Sequence, residues 1–221
     1  MSVRRATAVL VVAAALGQTP AVGAAPPSSA ERLVEAVERG HRGLAAVRPA
    51  LSERAVAVDR EITACEHLVE GDHPEAVENR IEETGAAVVW SALLWPYVEA
   101  TLPVARQVVA DMDAVPTRDP ALRSGRAAWR RGVRLFASFP PPVERPCEAL
   151  ARWRDAGFSA AAAPIPRADA LRFWKLLART DDERDRRYGK AVRRLRQLGL
   201  SPRRARRFDG RRIFDLYSDD H

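Results

Sequence analysis

The densest chemistry in this chain is cationic. Thirteen basic side chains fall between Arg184 and Arg212, with Tyr188 and Phe208 among them. Guanidinium groups at that density can grip phosphate or carboxylate oxygens, because each presents a planar fork of N–H donors that matches those anions. Arg187, Lys190, Arg194, Arg203, Arg204, Arg207 and Arg211 are the candidate anion contacts. The partners that suit them are an anionic polymer of the cell envelope, lipid head groups or a protein partner. A competing reading is internal. Residues 25–120 carry 9 Arg against 17 Asp or Glu, a balance of −8, while residues 121–221 carry 25 Lys or Arg against 12 acidic residues, a balance of +13. The two halves can therefore neutralise each other across a packed interface.

A second constellation has metal-ligand character. His67 and Glu70 stand one helical turn apart, and His73 follows after a turn, so the three could supply a mixed nitrogen and oxygen site for a divalent cation. Against this, acidic residues fill solvated helix faces routinely, and Asp72 and Glu75 fit helix-capping positions. No cofactor is expected beyond such a metal. Metal-finger spacing of Cys and His is absent, as is the haem-attachment pattern Cys-x-x-Cys-His.

Catalytic signatures are thin. The four histidines are His41, His67, His73 and His221, and neither a nucleophile elbow, a phosphate loop nor a dinucleotide glycine fingerprint occurs. Glu99 is the only charge between Gly85 and Ala105. A carboxylate in so apolar a stretch either has a functional role or pairs with an arginine on a neighbouring helix, and the second is expected. The balance leans away from an enzyme and toward a binding protein.

The elements that must position these groups read as helices. Leu33, Val37, Leu44, Val47, Leu51, Ala55, Val58, Ile62, Cys65 and Val69 recur at spacings of three, four or seven. Pro49 lies inside this run, which fits either one kinked helix or two helices, and Gly71 is the expected stop. Asp72 to Glu75 starts the next helix, which turns apolar on every side from Gly85 to Val98 and is bent by Pro96 and Pro103. Asp119-Pro120 begins another, with Leu122, Trp129, Val133 and Phe136 on one face. After a proline-rich connector at 140–146, short helices are expected from Cys147 to Ala156, around Phe173, and from a capping box at Thr180 and Glu183 as far as Gly199. Ser201-Pro202 marks a last short helix, and Asp209-Gly210 a tight turn that can lead into a hairpin. The expected fold is all-α, a helical bundle of about five to seven helices with proline-marked joints.

The front of the chain reads as a signal peptide. Arg4 and Arg5 precede an uncharged apolar stretch from Ala6 to Leu16, and Val22 and Ala24 suit cleavage after Ala24. Residues 25–221 then form a single helical domain, periplasmic or secreted, with an Arg-rich segment at 184–212. In an oxidising compartment Cys65 and Cys147 are expected to form a disulfide rather than remain buried thiols. The alternative for the apolar stretch 85–105 is a membrane span, which would place the two cysteines on opposite sides. Export argues against nucleic acid as the partner.

Overall fold

The computed structural model describes residues 27–69, 75–186 and 188–210. The expected signal segment, Glu70, His73, Arg187, Arg211 and the residues after Gly210, where the sequence allows a hairpin, lie outside the described residues. The fold is all-α: α1 (Ser29–Glu66), α2 (Glu75–Arg80), α3 (Ala86–Asp113), α4 (Pro120–Phe136), α5 (Pro146–Asp155), α6 (Arg167–Arg186), α7 (Tyr188–Gln197) and α8 (Pro202–Arg206). A π-helical turn at Ile81–Gly85 joins α2 to α3, and a 3₁₀ turn occupies Ala160–Ala162.

α1 is a single helix through Pro49. At 1.5 Å per residue it runs about 57 Å. Its start is fixed by a capping box: Ser28 accepts from the Glu31 N–H, and the Glu31 carboxylate accepts from the Ser28 N–H. The helix ends at Glu66 with His67 as its C-cap, earlier than the stop expected at Gly71.

α3 returns antiparallel along α1. The register is marked by Ser29 donating to the Pro116 carbonyl at one end, Arg39 pairing with Asp111 at 2.8 Å further along, and Arg54 pairing with Glu99 near the middle. Glu99 is therefore partnered by an arginine of the neighbouring helix and half-exposed, the arrangement expected of it.

Three apolar clusters hang on this long pair. Leu33, Val34 and Val37 of α1 meet Val108 and Met112 of α3, Trp129 of α4, Leu195 of α7 and Phe208. Ile62 and Cys65 of α1 meet Ile81, Val88, Leu150, Trp153 and Phe158. Leu94 and Val98 of α3 meet Phe136, Phe139, Phe173 and Leu177. The Cys65–Cys147 disulfide, with Cα atoms 5.4 Å apart, fastens the end of α1 to the start of α5.

Two joints differ from the sequence reading. Thr180 does not start a helix; helical backbone runs unbroken from Arg167 to Arg186. From Arg167 to Tyr188 the sequence has no glycine or proline, so nothing interrupts the ladder, and a capping-box pattern has no effect where the N-cap backbone stays helical. The π turn at 81–85 has no counterpart in the sequence reading. It coincides with outside donors on one residue: Trp174 donates its indole N–H to the Glu83 carbonyl at 3.0 Å, and Arg167 grips the Glu83 carboxylate at 2.5 and 2.9 Å. In the same turn the Thr84 hydroxyl is buried without a hydrogen-bond partner among the described residues.

Candidate functional site

The basic C-terminal segment is distributed over separate helices, and its members do different things. Arg194 of α7 turns toward α4. Its Nε donates to Asp119 Oδ2 at 2.5 Å, while Oδ1 of the same carboxylate caps α4 by accepting from the N–H groups of Ala121 and Leu122. Arg204 of α8 turns toward α1, with Nε 3.4 Å from Glu38 Oε1 and Nη2 3.7 Å from Glu35. Arg207 Nη1 reaches the same Glu38 oxygen at 3.0 Å. The N-terminal, acidic half thus neutralises part of the C-terminal, basic half, as the charge balance allowed. The arginines of these pairs are half-exposed, and such pairs are individually weak, typically up to about 1 kcal/mol, so they orient α7 and α8 more than they hold the fold together.

What remains after this pairing is a cleft between α1 and α8 with a volume of about 980 Å³. Its α1 wall is Glu38, His41, Arg42 and Ala45, and its opposite wall is Pro202, Arg203, Arg206, Arg207 and Asp209. The spacing explains the convergence. Positions 38, 41, 42 and 45 lie on one face of a helix, as do 203, 206 and 207, so each helix presents a row of side chains to the other. Ser201 starts α8 by accepting from the Arg204 N–H, and Pro202 fits the first turn. The far side of α8 is anchored by apolar packing: Ala205 and Phe208 are fully buried, and Trp129 of α4 donates its indole N–H to the Phe208 carbonyl at 3.0 Å.

Four guanidinium groups and two carboxylates line the cleft. Glu38 is engaged by Arg207, and Arg42, Arg203 and Arg206 are exposed with no carboxylate partner among the described residues. A cavity of this size with three uncommitted guanidiniums can bind an anion larger than a single inorganic ion, by charge-assisted hydrogen bonds from several sides.

Of the residues singled out from sequence, the cleft brings together Arg203 and Arg207. Arg204 stands behind it as a clamp, Arg194 belongs to the α4–α7 contact, and Lys190 is exposed on α7. His41, Arg42, Arg206, Glu38 and Asp209 were missed. One signal was present: the apolar stripe of α1 skips a turn between Val37 and Leu44, and His41 occupies the gap. Of the metal candidates only His67 is described, exposed beyond the end of α1, and the described residues contain no group of three or more metal-ligating side chains. Comparison with protein-family models, curated proteins and solved structures finds no match for this chain.

Proposed function

We propose that this chain is an exported, non-catalytic helical bundle that binds an anionic polymer of the cell envelope in the cleft between α1 and α8. The observation that carries the reading is the convergence of Arg42, Arg203 and Arg206, without carboxylate partners among the described residues, on one cleft. A concave groove between two helices suits a polymer chain passing through it better than the flat head-group plane of a bilayer. The lining holds arginines, one histidine and two carboxylates, a composition for binding.

Export is supported by the three-part N-terminal pattern of residues 1–24 and by the Cys65–Cys147 bond, since disulfides persist in oxidising compartments. The segment Val77–Asp113 is long and apolar enough to cross a membrane by length and composition, with half of its most apolar window buried against the rest of the protein. Burial by α1, α4 and α6 suits a core helix, and a single span at 85–105 would separate the two bonded cysteines.

The test is equilibrium binding of labelled inorganic polyphosphate, polygalacturonate and anionic vesicles to the mature protein and to R203E/R206E. Polymer binding abolished in the variant, with unchanged circular dichroism, supports the reading. Binding to vesicles alone transfers the site to lipid, and polymer binding unaffected by the charge reversals overturns it.

A further inference from the structure

The walls of the cleft carry one feature that an indiscriminate anion trap does not need: a carboxylate already seated on one of its arginines. Glu38 is the hub. A single oxygen, Oε1, lies 3.0 Å from Arg207 Nη1 and 3.4 Å from Arg204 Nε, and the Glu38 side chain is only 13% exposed against 47% for Arg207. The two arginines differ in position. Arg207 lines the cleft, whereas Arg204 does not and has Glu35 as a second carboxylate. Arg204 therefore stays with α1 whatever enters, and Arg207 is shared between an internal anion and an external one.

Resting on the anion-binding reading above, we infer that Glu38 is the selectivity residue of the cleft, acting as an internal competitor that yields Arg207 to phosphate groups and withholds it from carboxylates. A carboxylate ligand offers Arg207 nothing that Glu38, already seated 3.0 Å from it, does not provide. A phosphate has more acceptor oxygens arranged around a tetrahedral centre, so one group can bridge Arg207 and a second guanidinium from Arg203 or Arg206 at once. Arg203 and Arg206 stand one turn apart on α8 and Arg207 follows as its C-cap, all three lining the cleft, so one group can reach two of them. Once Arg207 leaves, Glu38 keeps Arg204 as its partner and is not stranded. The class of ligand is accordingly a phosphate-bearing polymer, with carboxylate polymers discriminated against.

The experiment compares inorganic polyphosphate with polygalacturonate on the mature protein and on E38Q, E35Q and R207A at fixed salt. The wild type is expected to prefer polyphosphate by about tenfold or more. E38Q should close most of that gap by strengthening polygalacturonate binding, whereas E35Q, which removes the same charge one turn away and off the cleft, should leave the gap unchanged. R207A should weaken polyphosphate by about tenfold and polygalacturonate hardly at all, and this arm decides the matter if E38Q does not fold. A wild type without preference, a gap that E38Q leaves open, or an E35Q that behaves like E38Q overturns the inference while anion binding itself stands. Folded protein that binds neither polymer overturns the anion-binding reading and this inference together.

Discussion

Trp129 of α4 and Phe208, 79 positions later, are joined by a single hydrogen bond: the indole N–H donates to the Phe208 carbonyl at 3.0 Å, with both side chains fully buried. This bond ties the chain just beyond the end of α8 to α4. A five-residue helix has too few internal hydrogen bonds to hold its own position. Substituting Trp129→Phe removes the donor, leaves the Phe208 carbonyl buried without a partner and opens a small void. The expected cost is about 2–4 kcal/mol, read as a lowered urea midpoint. A midpoint within experimental error of wild type would show that the tail turn is held elsewhere.

The Cys65–Cys147 bond closes a loop of 82 residues around α2, α3 and α4. On the chain-entropy account a loop of that length contributes about 4 kcal/mol by restricting the unfolded chain. The double variant C65S/C147S is expected to lose stability by roughly that amount. Its denaturation under reducing and oxidising conditions should then coincide, whereas wild type should shift between them.

Several carboxylates are held below their ordinary range by arginine partners. The hydrogen bond from Arg194 lowers Asp119, that from Arg167 lowers Glu83, and that from Arg39 lowers Asp111. Because these folded values lie beneath the unfolded ones, the associated stability is fully present above about pH 4 and is lost as pH falls through the depressed folded values. Asp119→Asn isolates one contribution, since asparagine also caps a helix well but cannot titrate. The melting temperature of D119N is expected to fall less than that of wild type between neutral pH and about pH 2; parallel acid limbs would remove Asp119 from the account.

Thr84 gives a prediction of opposite sign. Its hydroxyl is buried in the π turn without a hydrogen-bond partner among the described residues, and a buried unsatisfied polar group is costly. Thr84→Val keeps the shape and removes the polar atom, so the variant should be as stable as wild type or more stable, by up to about 1–2 kcal/mol. A clear decrease in thermal stability would mean that the hydroxyl has a partner.

The helices were legible because their signals are local. The apolar stripe from Leu33 to Cys65, Asp119 before Pro120, and Ser201 before Pro202 each depend on residues within one or two turns, and each stands in the structure as an element or a cap. The π turn was not legible, because its partners Trp174 and Arg167 are more than eighty residues from Glu83. The same holds for the cleft. The density of arginine near the C-terminus was plain, yet which of those arginines are uncommitted depends on Glu35, Glu38 and Asp119, carboxylates brought opposite them only by the packing of α1 and α4. Arg42 carries no mark in sequence that separates it from Arg39, which pairs with Asp111.

The central claim, that the α1–α8 cleft binds a polyanion through its uncommitted guanidiniums, is tested most directly by the salt dependence of polyphosphate binding to wild type and to R42A/R203A/R206A. For every phosphate that the variant no longer neutralises, the plot of log affinity against log salt should flatten by about 0.7–0.9. The triple variant is therefore expected to bind more weakly, with a slope shallower by about 2. Equal slopes and equal affinities would place the binding outside the cleft and contradict the account.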